Sequence, residues 1–211
     1  MAPRKVKRRF FITFEGPEGC GKSTQSKRLG QFLKSKGFPV VVTREPGGTP
    51  IGETARRVLL SARNRLSPLS ELFLYELSRY ELVKQVIQPA LRLGKVVISD
   101  RFSDSTIVYQ GIAGGVSVGF IRRLDRMVCQ GLKPDLTFLL DVPVHQGLRR
   151  SRRKKGRLDR MEQKSLAFHR RVRKGYLALS KRNPNRFRLI RNGSKQEIQE
   201  QIRKDVMRAL R

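Results

Sequence analysis

The sequence of 211 residues contains two cysteines and no apolar run close to the roughly 20 residues that a membrane-spanning helix needs. Cys20 and Cys129 are far apart and have no partner at CxxC or metal-ligand spacing, so we expect neither a disulfide framework nor a zinc site. The basic residues of the first segment, 1–9, have no hydrophobic segment behind them. We therefore expect a cytoplasmic protein that is neither exported nor embedded in a membrane.

Acidic residues are scarce. There are 17 of them against 47 lysines and arginines, a net charge of +30, and none lies between Gln163 and Gln196. The basic excess lies in an N-terminal tail, residues 1–9, and in the C-terminal third. We interpret most of it as solvated helix surface, and expect at most weak, nonspecific binding of nucleic acid.

Short apolar runs alternate with helical patterns. The predicted strands are 10–14, 40–43, 96–99, 136–140 and a weaker one at 187–190, and we expect them to be buried. The glycine-rich stretch 111–119 is predicted to be a loop. The predicted helices are 23–36, 53–60, 69–91, 118–130, 144–153, 159–181 and 196–210. This alternation predicts one doubly wound α/β domain over residues 1–211, with its site beyond the carboxyl ends of parallel strands.

A G-x-x-x-x-G-K-S pattern follows the first predicted strand and precedes the first predicted helix, which is the context of a phosphate-binding P-loop. We expect Lys22 to reach the β- and γ-phosphates of ATP and Ser23 to bind Mg²⁺. The alternative is a glycine-rich turn with an incidental Lys-Ser pair, and Cys20 is interpreted as a small loop residue. The predicted ATP-binding residues are Gly16, Pro17, Glu18, Gly19, Cys20, Gly21, Lys22, Ser23 and Thr24.

Two aspartates are candidates for organising Mg²⁺. Asp100 follows the third predicted strand, where P-loop proteins place such a carboxylate, and is preferred. Asp141 ends the fourth strand and could equally cap the next helix.

The absence of N-K-x-D and D-x-x-G strings argues against a GTPase switch. A dense basic cluster, Arg149 to Arg160, instead suggests a mobile lid over residues 149–163 that closes arginines onto the transferring phosphates. A nucleic-acid-dependent ATPase that uses the +30 charge is retained as an alternative from another class.

Four motifs resemble the signatures of bacterial thymidylate kinases: T-R-E-P-G-G-T from Thr43, D-R-F from Asp100, S-T-x-x-Y-Q-G from Ser105 and D-R-M-E from Asp159. The resemblance covers about residues 10 to 180. It implies a P-loop nucleoside-monophosphate-kinase fold with a small lid, ATP and Mg²⁺ as cofactors, dTMP as acceptor and a homodimer. Another small-molecule kinase, with a different nucleoside monophosphate or a deoxynucleoside as acceptor, is the closest alternative.

The resemblance also assigns roles to residues. Tyr75, with Phe73 as a competing aromatic, matches the residue that stacks on thymine, and Arg79 one that hydrogen-bonds the base. Arg101 matches the arginine that holds the acceptor phosphate, and Thr106 and Tyr109 match positions that read the base edge and exclude a 2′-hydroxyl. The implied substrate-binding residues are Glu45, Tyr75, Arg79, Arg101, Ser105, Thr106, Tyr109 and Gln110.

Gly19 stands where some relatives carry a P-loop arginine, so the resemblance implies lid arginines instead, with Glu18 as the loop carboxylate. Two residues depart from the family pattern: Phe102, where Tyr or His is usual, and Arg191, where an acid is common and the adenine pocket is expected. The implied catalytic residues are Lys22, Arg101, Asp100 and the lid residues Arg150, Arg152 and Arg157.

Overall fold

The computed structural model describes residues 10–156, 158–191 and 193–210. Five parallel strands in this part of the chain form one sheet in the order β2-β3-β1-β4-β5. The predicted doubly wound α/β fold is therefore confirmed. The strands are β1 Phe10–Glu15, β2 Val40–Arg44, β3 Val96–Asp100, β4 Leu136–Asp141 and β5 Phe187–Arg191.

Helices connect the strands. Two segments are π-helical: Val83–Ile87 joins α3 to α4, and Ile107–Ala113 continues α5. None of the helices in the described part of the chain is both long and apolar enough to cross a membrane. The helices are α1 Lys22–Ser35, α2 Pro50–Leu60, α3 Pro68–Leu82, α4 Gln88–Arg92, α5 Ser103–Thr106, α6 Val118–Val128, α7 Val144–Lys155, α8 Leu166–Arg182 and α9 Lys195–Ala209.

Alternate residues of the central strand β1 pack on opposite faces of the sheet, because successive side chains of a strand point to opposite sides. Phe10, Ile12 and Phe14 pack in a cluster that includes Leu29 of α1 and Ile202 of α9. Phe11 packs in a separate cluster with Leu82 and Leu91, from α3 and α4. Helices therefore cover both faces, and the open edge beyond the carboxyl ends of the strands is left for a site.

Three predicted elements differ from the structure. The run at 40–43 was expected to be a buried strand, but β2 lies at the edge of the sheet and Val42 is 38% exposed. The helix expected from residue 159 begins at Leu166, with Ser165 as its cap. Asp159 instead closes a turn, because its Oδ1 accepts hydrogen bonds from the backbone N–H groups of Met161 and Glu162.

The loop prediction for 111–119 was also partly wrong, because the helical stretch Ser103 to Ala113 includes Gly111 and Ala113. Glycine suggests a turn in a sequence, but here it serves packing. A Cβ on Gly111 would lie 3.0 Å from Val118 and 3.1 Å from Ile121 of α6. The predicted tail at 1–9 lies outside the described residues.

Candidate active site

A cleft of about 1140 Å³ opens at the carboxyl edge of the sheet. It joins the P-loop to the ends of β2 and β3, the helical stretch after β3 and the end of α7. It therefore brings together most of the residues predicted from the sequence. Among those lining it are Glu18, Gly19, Cys20, Gly21, Lys22, Ser23, Thr24, Glu45, Tyr75, Asp100, Arg101, Ser105, Thr106, Tyr109, Gln110 and Arg150.

The P-loop runs directly from β1 into α1, as its sequence pattern predicts. Lys22 is buried, and its ammonium donates hydrogen bonds to the carbonyl oxygens of Gly16 and Pro17, at 3.0 and 2.8 Å. It also lies 3.3 Å from the sulfur of Cys20. The lysine thus sits folded over its own loop, on the wall of the cleft.

Ser23 and Asp100 both line the cleft, and the hydroxyl of Ser23 donates a hydrogen bond to Asp100 Oδ2. A hydroxyl and a carboxylate oxygen form a donor set that suits Mg²⁺, which takes few protein ligands and completes its shell with water and phosphate oxygens. No group of three or more His, Cys, Asp or Glu side chains in the described residues could hold a metal by itself. The pair therefore fits a Mg²⁺ shared with a nucleotide.

The rival aspartate is engaged elsewhere. Arg173 donates two hydrogen bonds to the buried carboxylate of Asp141, at 2.7 and 2.9 Å. The guanidinium of Arg191 approaches the same carboxylate at 3.7 Å and is largely exposed. This arrangement favours a structural role for Asp141, and it shows what the unusual Arg191 faces.

Arg101, directly after β3, is the centre of a hydrogen-bond cluster in the cleft. Its guanidinium donates hydrogen bonds to Glu18 at 3.0 Å, to the hydroxyls of Tyr109, Ser105 and Tyr176, and to the carbonyl oxygen of Gly16. Five partners hold one fork of donors in place.

The backbone of Arg101 has a φ of 74°, in the left-handed region that side chains rarely occupy. Such a conformation costs roughly 1–3 kcal/mol and persists only when its surroundings impose it. Here Glu15 accepts a 2.8 Å hydrogen bond from the next N–H group, that of Phe102. The other oxygen of Glu15 accepts from the hydroxyls of Ser105 and Tyr176.

Two glutamates beside Arg101 have pKa values that are shifted in opposite directions. Burial, followed by the nearby charge of Asp104, raises the pKa of Glu15 to about 7. Burial also opposes ionisation of Glu18, but Arg101 and Lys22 lower the pKa of Glu18 to about 2. Glu18 therefore keeps a negative charge beside the cations of Lys22 and Arg101.

Arg79 lies behind the cleft at 1% exposure. Its guanidinium pairs with Glu45 at 2.8 Å and Glu76 at 2.6 Å, approaches Asp125 at 3.5 Å, and donates to the hydroxyl of Thr106 at 2.7 Å. Burial raises the pKa of Glu45 to about 8 against the opposing charge of Arg79. A direct hydrogen bond from Arg79 to a base would require one of these contacts to be exchanged.

Phe102, the departure from the family pattern, is fully buried. Its ring meets Phe11 edge to face with centroids 4.9 Å apart, and the guanidinium of Arg79 lies 5.5 Å from the ring centroid. It therefore serves packing beneath the site.

The predicted lid region, 149–163, begins within α7. Arg150 and Ser151 line the cleft, and the Ser151 hydroxyl donates a hydrogen bond to Glu162. Arg152 is exposed, and Arg157 lies outside the described residues. Of the lid arginines proposed from the sequence, Arg150 is the one among the described residues that lines the cleft.

Comparison with known proteins identifies the family. The family model described as thymidylate kinase matches residues 14–202. The chain belongs to the thymidylate kinase family. A thymidylate kinase of Geotalea uraniireducens is 50% identical over 196 residues, which cover 90% of this chain and 91% of that protein. A thymidylate kinase of Deinococcus radiodurans is 48% identical over 180 residues, which cover 85% of this chain and 87% of that protein.

A solved structure agrees with the family assignment. The crystal structure of thymidylate kinase from Ehrlichia chaffeensis superposes with a TM-score of 0.77 at 36% identity, covering 94% of this chain and 98% of that one. The resemblance to thymidylate kinases seen in the four motifs is therefore confirmed.

Several residues of this thymidylate kinase family member were missed by the sequence reasoning. Glu15 and Tyr176 hold the Arg101 segment through hydrogen bonds. In the sequence, Glu15 resembles any residue at the end of a strand, and Tyr176 any aromatic residue of a helix. Arg56 of α2 lines the cleft and donates to the carbonyl oxygen of Pro46 at 2.8 Å. Lys195 lines the cleft beside Ser194. The T-R-E-P-G-G-T motif just before α2 was the one signal that could have pointed to Arg56.

Proposed function

We propose that this protein transfers the γ-phosphoryl group of ATP to the 5′-phosphate of dTMP, giving dTDP and ADP. The observation that carries the proposal is that one cleft is shared by the P-loop, the Arg101 cluster and the side chains of Tyr75, Tyr109 and Gln110. Membership of the thymidylate kinase family supports dTMP as the acceptor.

On the donor side, the P-loop backbone and the N-terminus of α1 hold the phosphates of ATP. Lys22 exchanges its hydrogen bonds with Gly16 and Pro17 for the β- and γ-phosphates. Three further residues line the cleft and are proposed to border the adenosine: Gly193, Ser194 and Lys195.

Ser23 and Asp100 would hold Mg²⁺ together with the phosphates of ATP. When bound there, the ion would neutralise negative charge that develops on the transferring phosphoryl group.

On the acceptor side, Arg101 binds the 5′-phosphate as a fork of donors, with Glu18 and Tyr109 fixing its orientation. Tyr75 supplies the stacking surface for the base. Thr106 and Gln110 contact the polar edge of the base. Arg79 acts through Glu45 and Thr106. Because the acceptor phosphate is already anionic, positioning and charge neutralisation suffice and no strong general base is needed. Arg150, Arg152 and Arg157 are proposed to complete the cationic shell as the lid closes.

The test is an acceptor panel at fixed ATP, with ADP release as the readout. dTMP should have the highest kcat/KM among dTMP, dUMP, UMP, dCMP, dGMP, dAMP and thymidine. Lys22→Ala should remain folded and lose turnover. A different best acceptor would refute dTMP as the substrate, and ATPase activity stimulated by single-stranded DNA and not by dTMP would favour the nucleic-acid-dependent alternative.

We also propose that the protein is a homodimer that buries one face of α3. Leu69, Phe73 and Leu77 lie four residues apart on this helix, so they form one stripe, and they are 46%, 50% and 45% exposed. Three large apolar side chains in line on an exposed face favour association with a partner of similar apolar surface.

Size-exclusion chromatography with light scattering tests the dimer. The wild-type protein should have twice the monomer mass, and Phe73→Glu should have the monomer mass. Leu93→Glu is the control, because Leu93 is 71% exposed and lies outside the stripe. A monomeric wild-type protein at assay concentration would contradict the proposal.

A further inference from the structure

Gln110 lies on the acceptor side of the cleft with an amide held in one orientation. It is 2% exposed and lines the cleft. Its Nε2 donates a 2.6 Å hydrogen bond to Oε1 of Glu71, on the first turn of α3. Among the described residues this is the one side-chain hydrogen bond of Gln110, so its Oε1 accepts none.

Glu71 is itself held from the other side. Its Oε2 accepts a hydrogen bond from Nη1 of Arg160 at 2.6 Å. Arg160 in turn donates from Nε to the carbonyl oxygen of Leu59 at 2.7 Å, and from its backbone N–H group to that of Leu60 at 3.2 Å. The D-R-M-E motif, near the end of the predicted lid region, thereby holds a carboxylate of α3 and is itself anchored to the end of α2.

The chemistry of the pair decides which amide atom faces which way. A carboxylate paired with a guanidinium only accepts hydrogen bonds, so the NH₂ group of Gln110 must face Glu71. The amide oxygen is then the atom left for a ligand. If Glu71 did not accept, nothing in this pair would prevent the amide from turning over.

We propose that Glu71 is a positioning residue that determines base specificity. By holding the NH₂ group of Gln110, it makes the cleft present a hydrogen-bond acceptor to the edge of the base. This inference rests on the proposed function. Thymine offers an N–H donor at ring position N3, whereas cytosine has a lone pair there. A buried acceptor that faces a lone pair is left unpaired, so the arrangement rejects cytosine.

The test is Glu71→Gln, assayed with dTMP and dCMP. The new amide can accept from Arg160 and donate to Gln110, which turns the NH₂ group of Gln110 towards the cleft. The ratio of kcat/KM for dTMP to that for dCMP should fall at least about 10-fold, with KM for ATP nearly unchanged. Glu81→Gln is a matched control, because Glu81 is a partly exposed glutamate of α3 that accepts from Gln85, and it should leave the ratio unchanged.

A double-mutant cycle separates positioning from a general structural effect. If Glu71 acts through Gln110, adding Glu71→Gln to Gln110→Leu should change the ratio little further, because the two effects are not independent. Additive effects, or a parallel loss of kcat/KM for both acceptors with an unchanged ratio, would overturn the proposal.

The wild-type protein gives a test that does not depend on the variant folding. 3-Methylthymidine 5′-monophosphate lacks the N3 donor and should bind at least about 10-fold more weakly than dTMP; equal binding would overturn the proposal. A wild-type protein that prefers another acceptor to dTMP would refute the proposed function and this inference together. A wild-type protein that prefers dTMP, with a ratio unaffected by Glu71→Gln, would refute the inference alone.

Discussion

A Cβ atom on Gly19 would lie 1.9 Å from the carbonyl oxygen of Gly147, and one on Gly147 would lie 2.2 Å from the carbonyl oxygen of Glu18. The P-loop and the helix that leads into the lid therefore pack backbone against backbone. An arginine at position 19 could enter only if α7 moved away. This contact gives a physical reason why position 19 of the P-loop is a glycine and not an arginine in this protein.

The contact predicts that Gly19→Ala destabilises the protein more than Gly37→Ala does. Both glycines have positive φ, 65° and 81°, but nothing would lie within 4 Å of a Cβ at position 37. Each variant pays roughly 1–2 kcal/mol for the left-handed conformation. Overpacking adds about 1–3 kcal/mol for Gly19→Ala alone.

Urea unfolding of the two variants measures this difference, and kcat should fall for Gly19→Ala only. Equal free energies of unfolding would show that the backbone contact does not constrain position 19.

The Arg101 cluster predicts a large effect of Arg101→Lys. A lysine keeps the charge but cannot reproduce the fork that meets Glu18, Tyr109 and the acceptor phosphate. We expect kcat/KM for dTMP to fall about 10²-fold, the size of one or two lost charged hydrogen bonds, with a small change in KM for ATP. Steady-state kinetics check this, with Arg170→Lys on the exposed face of α8 as the control. A loss below about threefold would remove Arg101 from the acceptor-binding role.

The two aspartates predict different responses to Mg²⁺. Asp100→Asn should raise the Mg²⁺ concentration for half-maximal activity at least about 10-fold, because one anionic oxygen beside Ser23 is lost. Asp141→Asn should lower stability, since it weakens the paired contact with Arg173, and should leave the Mg²⁺ dependence unchanged. Activity titrations in Mg²⁺ after EDTA treatment check both. The reverse pattern would make Asp141 the metal-organising residue.

The raised pKa of Glu15 predicts that the protein loses stability as pH rises. Its pKa is about 7 in the folded protein against an ordinary 4.5, so the folded state binds the proton more tightly. Its contribution is fully present below about pH 4.5 and is lost as pH rises through 7; a shift of this size corresponds to about 3 kcal/mol. Glu18, with a pKa lowered to about 2, acts in the opposite direction and only below about pH 4.5.

Glu15→Gln should reduce the fall of stability between pH 5 and 8 in urea unfolding, and the remaining slope should come from Glu45, whose pKa is raised to about 8. The amide can still accept from Phe102 and bond the hydroxyls of Ser105 and Tyr176, so folding should be retained. A variant with the same slope as the wild-type protein would show that Glu15 does not titrate in this range.

Contiguous patterns determined much of this protein. The P-loop between β1 and α1, the five apolar strands and the motifs at the strand ends are local features, and topology rules bring the carboxyl ends of parallel strands to one edge. The fold class, the family and the gathering of Lys22, Ser23, Asp100 and Arg101 at one cleft could therefore be predicted from the sequence.

Local pattern was misleading where packing overrides it. Gly111 suggested a loop, yet the close approach of α6 accounts for a glycine inside a helix. Val40 to Thr43 has the composition of a buried strand, but strand order along the sheet places it at an edge. Composition reports propensity, and position in the sheet depends on the whole chain.

Only the tertiary structure decided which residues hold the side chains that line the cleft. Glu15 bonds Ser105 and Tyr176, 90 and 161 positions away in sequence, and Arg160 reaches Glu71 across 89 positions. Gly19 and Gly147 have no sequence signal that pairs them. The sequence alone determined the P-loop and the motifs of the thymidylate kinase family, because each of these is encoded in adjacent residues. Their orientation was decided by tertiary structure, because it depends on buried polar contacts that exist only once distant elements pack together.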